Sequence, residues 1–260
     1  MYGGYELFKA PENDSFVVIG ADAQILQLTL QPGSVVTTET GALVHMSADV
    51  NPAMECGGMS PACKRCCSGE GCCLVNYTNN GAAPGHIGLT PSFPAKVVPC
   101  NLDELGGELQ VKNGGYFTSA GKGTVEIDIK FICNPLICCC GGQGASMQTI
   151  RGTGWVFLAA GGTILEKVLG QGEVIIVDSE SVVGFNSSVT MDVRRTGGCM
   201  TMCCGGEGMY NTTLTGPGRV WLQSMSFSKL KAVLAPPKSA GMDRGGGGGG
   251  GDGGGGGGGE

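Results

Sequence analysis

Cysteine is the residue type whose placement in this chain is most suited to chemistry. Of its fourteen cysteines, Cys56, Cys63, Cys66, Cys67, Cys72 and Cys73 form one cluster. Cys133, Cys138, Cys139 and Cys140 form a second, Cys199, Cys203 and Cys204 a third, and Cys100 stands apart. Three kinds of chemistry compete. Cys63-Lys64-Arg65-Cys66 has the two-residue spacing of a zinc knuckle, with Cys72-Cys73 available to complete a thiolate set, although adjacent cysteines aim their thiols in different directions. Cysteines on exposed loops accept reversible acylation, which would set one end of the molecule on a membrane. Cysteine is also a small hydrophobe that fills apolar clusters at loop ends, and this is the preferred reading here. The N-terminus, MYGGYELFKAPENDSF, has no basic region followed by an apolar core, so a cytoplasmic setting with mostly reduced thiols is expected. Glycosylation-type triplets at Asn13, Asn76, Asn186 and Asn211 are then incidental.

The other candidates are weaker. A cysteine nucleophile needs a base, and His45 and His86 are the two histidines of the chain; both fall in strand-like stretches and read as structural. Glu126 and Asp128 project from one face of an alternating segment, as an acid–base pair would, but nothing else converges on them and a solvated strand face is favoured. Gly121-Lys122-Gly123 lacks the remaining signature of a phosphate loop. Gly69-Glu70-Gly71 and Gly206-Glu207-Gly208, with Gly142-Gln143-Gly144 between them, read as turns. The expectation is therefore a protein that is not an enzyme, with no catalytic, cofactor-binding or metal residues and no cofactor. A formal charge of −6, with Lys64-Arg65 and Arg194-Arg195 as the nearest approach to a basic patch, argues against nucleic acid as a partner.

The cysteine clusters recur because the chain does. Gly33 and Gly172, Glu39 and Asp178, Val44 and Val183, Met46 and Phe185, and Val50 and Val189 all share one offset of 139 residues. A more diverged copy starts at Gly107. Alternation at Leu26-Gln27-Leu28-Thr29-Leu30, Leu109-Gln110-Val111-Lys112 and Val125 to Ile129 predicts strands with one buried face, and the turn Gln31-Pro32-Gly33-Ser34 joins two of them. Paired strands are expected at Val35-Val36 with Ala42 to Met46, and at Val174 to Val177 with Ser181 to Phe185. Trp155-Val156-Phe157-Leu158 is continuously apolar and reads as a core strand.

A lead-in carries one strand at Phe16 to Ile19. The stretch from Ser226 to Leu234 is a short helix or strand stopped by Pro236-Pro237. No apolar run approaches the roughly 20 residues of a membrane span. Residues 1–240 then form one all-β unit of three repeats, about 20–92, 93–160 and 161–235, in a pseudo-threefold array. Residues 241–260 form a disordered glycine-rich tail, since glycine has no side chain to bury and loses the most backbone entropy on ordering.

The strings ETGALVHM, Gly-Glu-Gly, and Thr215-Gly216-Pro217-Gly218-Arg219-Val220-Trp221-Leu222-Gln223 resemble the altered inheritance of mitochondria 24 family, whose fold is similar to that of the tryptophan RNA-binding attenuation protein. The likeness covers about residues 15–235. It implies attenuation-protein-like β-sandwich or barrel repeats in a non-enzymatic scaffold, partner-binding or membrane-peripheral protein, and it makes the mitochondrion the alternative location. The RNA-binding activity does not carry over, because it depends on a basic ring that this acidic chain lacks. A protein partner or membrane surface would be met through the cysteine-rich loops, and exposed strand edges make a homo-oligomer plausible. A metal- or redox-responsive protein is the alternative function.

Overall fold

The computed structural model describes residues 3–11, 13–56, 65–66, 71–121, 124–131, 146–195 and 210–235. Strand β1 (Glu6–Leu7), which the sequence did not suggest, and the lead-in strand β2 (Phe16–Ile19) come first. Eighteen strands then follow among the described residues, in three groups of six. The first group is β3 (Ile25–Leu30), β4 (Val35–Glu39), β5 (Leu43–Met46), β6 (Val50–Glu55), β7 (Leu74–Asn79) and β8 (Gly85–Leu89). The second is β9 (Lys96–Asn101), β10 (Glu108–Lys112), β11 (Tyr116–Ala120), β12 (Val125–Phe131), β13 (Ser146–Gly152) and β14 (Trp155–Ala160). The third is β15 (Ile164–Leu169), β16 (Val174–Asp178), β17 (Val182–Asn186), β18 (Thr190–Arg195), β19 (Tyr210–Thr215) and β20 (Gly218–Gln223), and helix α1 (Phe227–Leu234) follows. The helix resolves the choice left open by the sequence: Ser226 caps it, its side chain accepting from the Lys229 amide, and Pro236-Pro237 cannot continue it.

Pairing is antiparallel throughout and repeats from group to group. The sixth strand pairs with the first and third, and the fifth with the second and fourth. The third strand carries one extra residue against the sixth at the same place each time. In the first group Leu43 faces Leu89 and His45 faces Gly88, leaving Val44 as the bulge. Phe117 and Val183 occupy that position between Tyr116↔Leu158 and Thr118↔Phe157, and between Val182↔Leu222 and Gly184↔Trp221.

These ladders also correct the start of the middle copy. Val36 and Thr38 of β4 face the core, and their counterparts on β10 are Leu109 and Val111, so Gly106, not Gly107, corresponds to Gly33 and Gly172. All three have positive φ, +77°, +81° and +70° in chain order, a turn conformation glycine adopts without steric cost. A slip of one residue in a strand would have turned every side chain to the opposite face.

The groups are joined edge to edge. β4 pairs with β11 and β10 pairs with β17, so the second strand of one group meets the third strand of the next. The result is a six-stranded sheet β6-β7-β4-β11-β14-β9 and a seven-stranded sheet β1-β15-β20-β17-β10-β13-β12, flanked by β2-β3-β8-β5 and β16-β19-β18. Three hydrophobic cores lie between them. Leu26, Leu28 and Leu30 all enter the first, as their alternation required. The middle strands serve two cores at once: on β14, Phe157 and Ala159 point into the first and Val156, Leu158 and Ala160 into the second, while on β20 Trp221 joins the second and Val220 and Leu222 the third. A strand covered on both faces has no polar face to alternate with, which is why Trp155 to Leu158 reads as an unbroken apolar run. Full burial of each such side chain contributes roughly 1.5–3 kcal/mol.

The tail at 241–260 and two of the Gly-x-Gly elements lie outside the described residues, as do Gly69 and Glu70 of the remaining one.

Candidate functional site

The site begins at the hairpin of β6 and β7. Its ladder runs Val50↔Asn79 to Glu55↔Leu74, so the next residues outward, Cys56 and Cys73, fall opposite one another with Cα atoms 4.1 Å apart. Directly opposed positions of an antiparallel pair bring thiols within bonding reach. Cys56–Cys73 is a disulfide, and Cys66–Cys72 is a second. This overturns the expectation of mostly reduced thiols for this segment. It also removes Cys66, Cys72 and Cys73 from the zinc reading, since a sulfur shared in a disulfide is not a thiolate ligand. The disulfides also overturn, for these four cysteines, the preferred reading as loop-end apolar filler; Cys100, outside the clusters, is the free cysteine among the described residues and is buried. Its Sγ contacts the Val98 carbonyl at 3.8 Å, and burial, with Glu166 adding to it, pushes the thiol well above its usual range. Cys63, Cys67, Cys133, Cys138, Cys139, Cys140, Cys199, Cys203 and Cys204 lie outside the described residues. Among the described residues no three histidine, cysteine, aspartate or glutamate side chains gather into a metal site.

Arg65, read as half of a basic patch, is buried. It forms an ion pair with Glu39 at the end of β4, and its Nε donates to the Gly71 carbonyl at 2.9 Å. Beside this pair opens a cleft of about 260 Å3 whose lining includes Glu39, Ala42, Gly71, Phe93, Tyr116 and Phe227. The Tyr116 hydroxyl lies 3.1 Å from the Thr37 carbonyl and 3.0 Å from Ser119 Oγ, and burial raises its pKa so that the phenol keeps its proton.

Helix α1 forms the rim. Phe227 packs on Phe93 with ring centroids 5.0 Å apart, and Lys229 forms an ion pair with Asp178. Glu180 accepts from Ser226 and Ser228 and pairs with Lys112 at 2.9 Å. Burial pushes the Glu180 carboxyl up, but the bonds from Ser228, Lys112 and Ser226 outweigh it and hold the pKa below its ordinary value. Anchored in this way, α1 buries none of its residues and leaves Phe227, Val233 and Leu234 exposed.

His45 and His86 do lie in strands, β5 and β8, and the ladder brings them together on an exposed face with ring centroids 5.6 Å apart. His86 Nδ1 sits 3.0 Å from Ser47 Oγ. Only the β5–β8 register, which no local pattern reveals, could have shown this. Glu126 lies opposite Arg151, which donates to Glu108 at 2.7 Å. The bond to Glu108 raises the guanidinium pKa, helped by the charges of Asp128 and Glu126. The two carboxylates thus flank a cation on a strand face. Arg194 and Arg195 close β18, and Lys122-Gly123 lies outside the described residues.

The described chain is thus an all-β protein of consecutive six-stranded sandwiches with a disulfide-braced hairpin and a short terminal helix at one cleft. Its sequence matches the family model described as Mitochondrial biogenesis AIM24 over residues 16–225, and the chain belongs to that family. The crystal structure of a Streptococcus pyogenes protein is similar in fold, with a TM-score of 0.66 at 20% identity over 84% of this chain and 97% of that one. No curated protein matches in sequence.

Proposed function

We propose that the protein is a non-enzymatic scaffold held at a membrane surface, built from three copies of one six-stranded, attenuation-protein-like unit joined edge to edge. The observation that carries this reading is α1, a helix fixed by Phe93, Asp178 and Glu180 whose Phe227, Val233 and Leu234 remain exposed, at a cleft that Phe227 shares with Gly71, the neighbour of Cys72. An amphipathic helix of this kind seats apolar side chains among lipid headgroups. Val233 and Leu234, the most exposed of them, contribute only about 1.5–3 kcal/mol each on burial, so stable attachment requires a second contact. Among the described residues no helix is long and apolar enough to cross a membrane. The family description supports a mitochondrial setting.

Flotation with phosphatidylcholine vesicles, with and without phosphatidylglycerol, tests the proposal. The full chain is expected to float with vesicles and the Val233→Ser/Leu234→Ser variant to remain in solution; a chain that floats with neither vesicle contradicts it.

The two disulfides favour a second, redox-responsive reading. Cys66 follows Arg65, which pairs with Glu39 at the cleft, so reduction would loosen the cleft wall. A change in intrinsic fluorescence on reduction that is abolished in Cys66→Ser supports this reading; identical spectra before and after reduction remove it.

A further inference from the structure

Eight strands end a sheet among the described residues, and two of them stand where an internal junction between groups would otherwise form. β5 closes the sheet β2-β3-β8-β5, and β16 begins the sheet β16-β19-β18. They occupy the third place of the first group and the second place of the last. Those are the two places that meet at both internal junctions, β4 with β11 and β10 with β17.

Exposure follows the same logic. The bulge residues Phe117 and Val183 are 2% and 1% exposed and sit in the cores of the preceding groups, whereas Val44, their counterpart on β5, is 46% exposed. On the other edge, Val35 of β4 is 9% exposed beside its neighbouring group, while the corresponding Val174 of β16 is 55% exposed, and Ile176 on the same face is 52% exposed. Apolar side chains on an open strand edge invite another strand.

We infer that β16 of one copy of this chain pairs antiparallel with β5 of a second copy, repeating the junction that the chain uses twice within itself. This rests on the repeated-unit part of the function proposed above. The internal registers set the external one. Thr38 faces Thr118 and Val111 faces Gly184, so Val177 faces His45, Ile176 faces Met46 and Ile175 faces Ser47. Val44 then enters the third core of the neighbouring copy, as Phe117 and Val183 enter theirs. Val174 and Ile176 are covered by the side of β5 that carries Met46.

A second copy fits better than an unrelated strand because the two open edges complement each other and one foreign strand fills only one of them. The contact is heterologous, so copies add head to tail into a ring or an open chain. It is also weaker than the internal junctions. Gly88 stands where β14 and β20 have Phe157 and Trp221, so the new contact buries no large aromatic at that place and association is reversible.

Two edge variants test the inference by sedimentation velocity over a concentration series of the full chain. Ile176→Lys spoils β16 and leaves β5 intact; Val44→Lys does the reverse. Both substitutions are on exposed side chains, and unchanged near-ultraviolet circular dichroism checks that each variant folds. The wild type is expected to grow in mass with concentration and each variant alone to stay monomeric. An equimolar mixture of the two should give a heterodimer and nothing larger, since one productive junction remains. A wild type that stays monomeric, alone or with a different protein on its edges, overturns the inference, as does a variant that assembles alone or a mixture that stays monomeric. Monomers that still float with vesicles sink this inference alone; assemblies that do not float sink the membrane proposal alone.

Discussion

His45 on β5 covers Gly88 on β8, the residue it faces across the ladder, and a methyl group on Gly88 would strike the imidazole ring. The equivalent pairs reverse the sizes: Thr118 lies opposite Phe157 and Gly184 opposite Trp221. Each pair fits one large side chain over one small one, so the constraint acts on the pair. Gly88→Ala is expected to lower stability in urea by about 1 kcal/mol, the low end of the range for overpacking, because the exposed imidazole can swing partly aside. His45→Ala in the same chain should recover most of the loss, as contacting residues do in a double-mutant cycle. Equal losses with and without His45 would show that the ring is not what Gly88 accommodates.

The Cys56–Cys73 bridge closes a sequence separation of 17 residues. In the chain-entropy account a loop of that size is worth about 3 kcal/mol. Cys56→Ser/Cys73→Ser should lose about that much relative to the oxidised wild type, and reductant should lower wild-type stability by more than it lowers that of the double variant, which keeps the Cys66–Cys72 bridge. Calorimetry on the four samples checks both points.

Glu180 should give the fold part of its acid sensitivity. Its folded pKa is depressed, so its contribution is present above the ordinary glutamate value of 4.5 and is lost as pH falls through the lower folded value. Glu180→Gln should therefore be less stable than wild type at neutral pH, with the difference shrinking as both are acidified. A difference that stays constant with pH would mean that the substitution acts through packing alone.

Phe16 of the lead-in strand meets Phe157 edge to face with centroids 5.0 Å apart. Phe157→Ala is expected to cost about 3–5 kcal/mol, as for other fully buried aromatics. A double-mutant cycle with Phe16→Ala should show about 0.5–1.5 kcal/mol of coupling. Coupling near zero would detach β2 from the first core.

Much of this fold was legible because local rules and long-range repetition agree. Leu26, Leu28 and Leu30 alternate and enter one core. The offset linking Val44 to Val183 joins two residues at the same bulge, a correspondence only shared topology would preserve. The middle copy was misplaced by one residue because Gly106 and Gly107 both have positive φ and either could mark the turn. What could not be read depends on which strands meet. The Cys56–Cys73 pairing follows from the β6–β7 register, the approach of His45 to His86 from β5–β8, and the two-faced burial of β14 from the edge joining of groups. Arg65 looked like surface charge because its partner, Glu39, lies 26 residues earlier in the chain.

Backbone amide exchange read by mass spectrometry against protein concentration tests the open-edge junction most directly. Protection in β5 and β16 is expected to rise together as the protein is concentrated, while β4, β10, β11 and β17, paired within the chain, stay protected throughout. Exchange in β5 and β16 that is independent of concentration would contradict it.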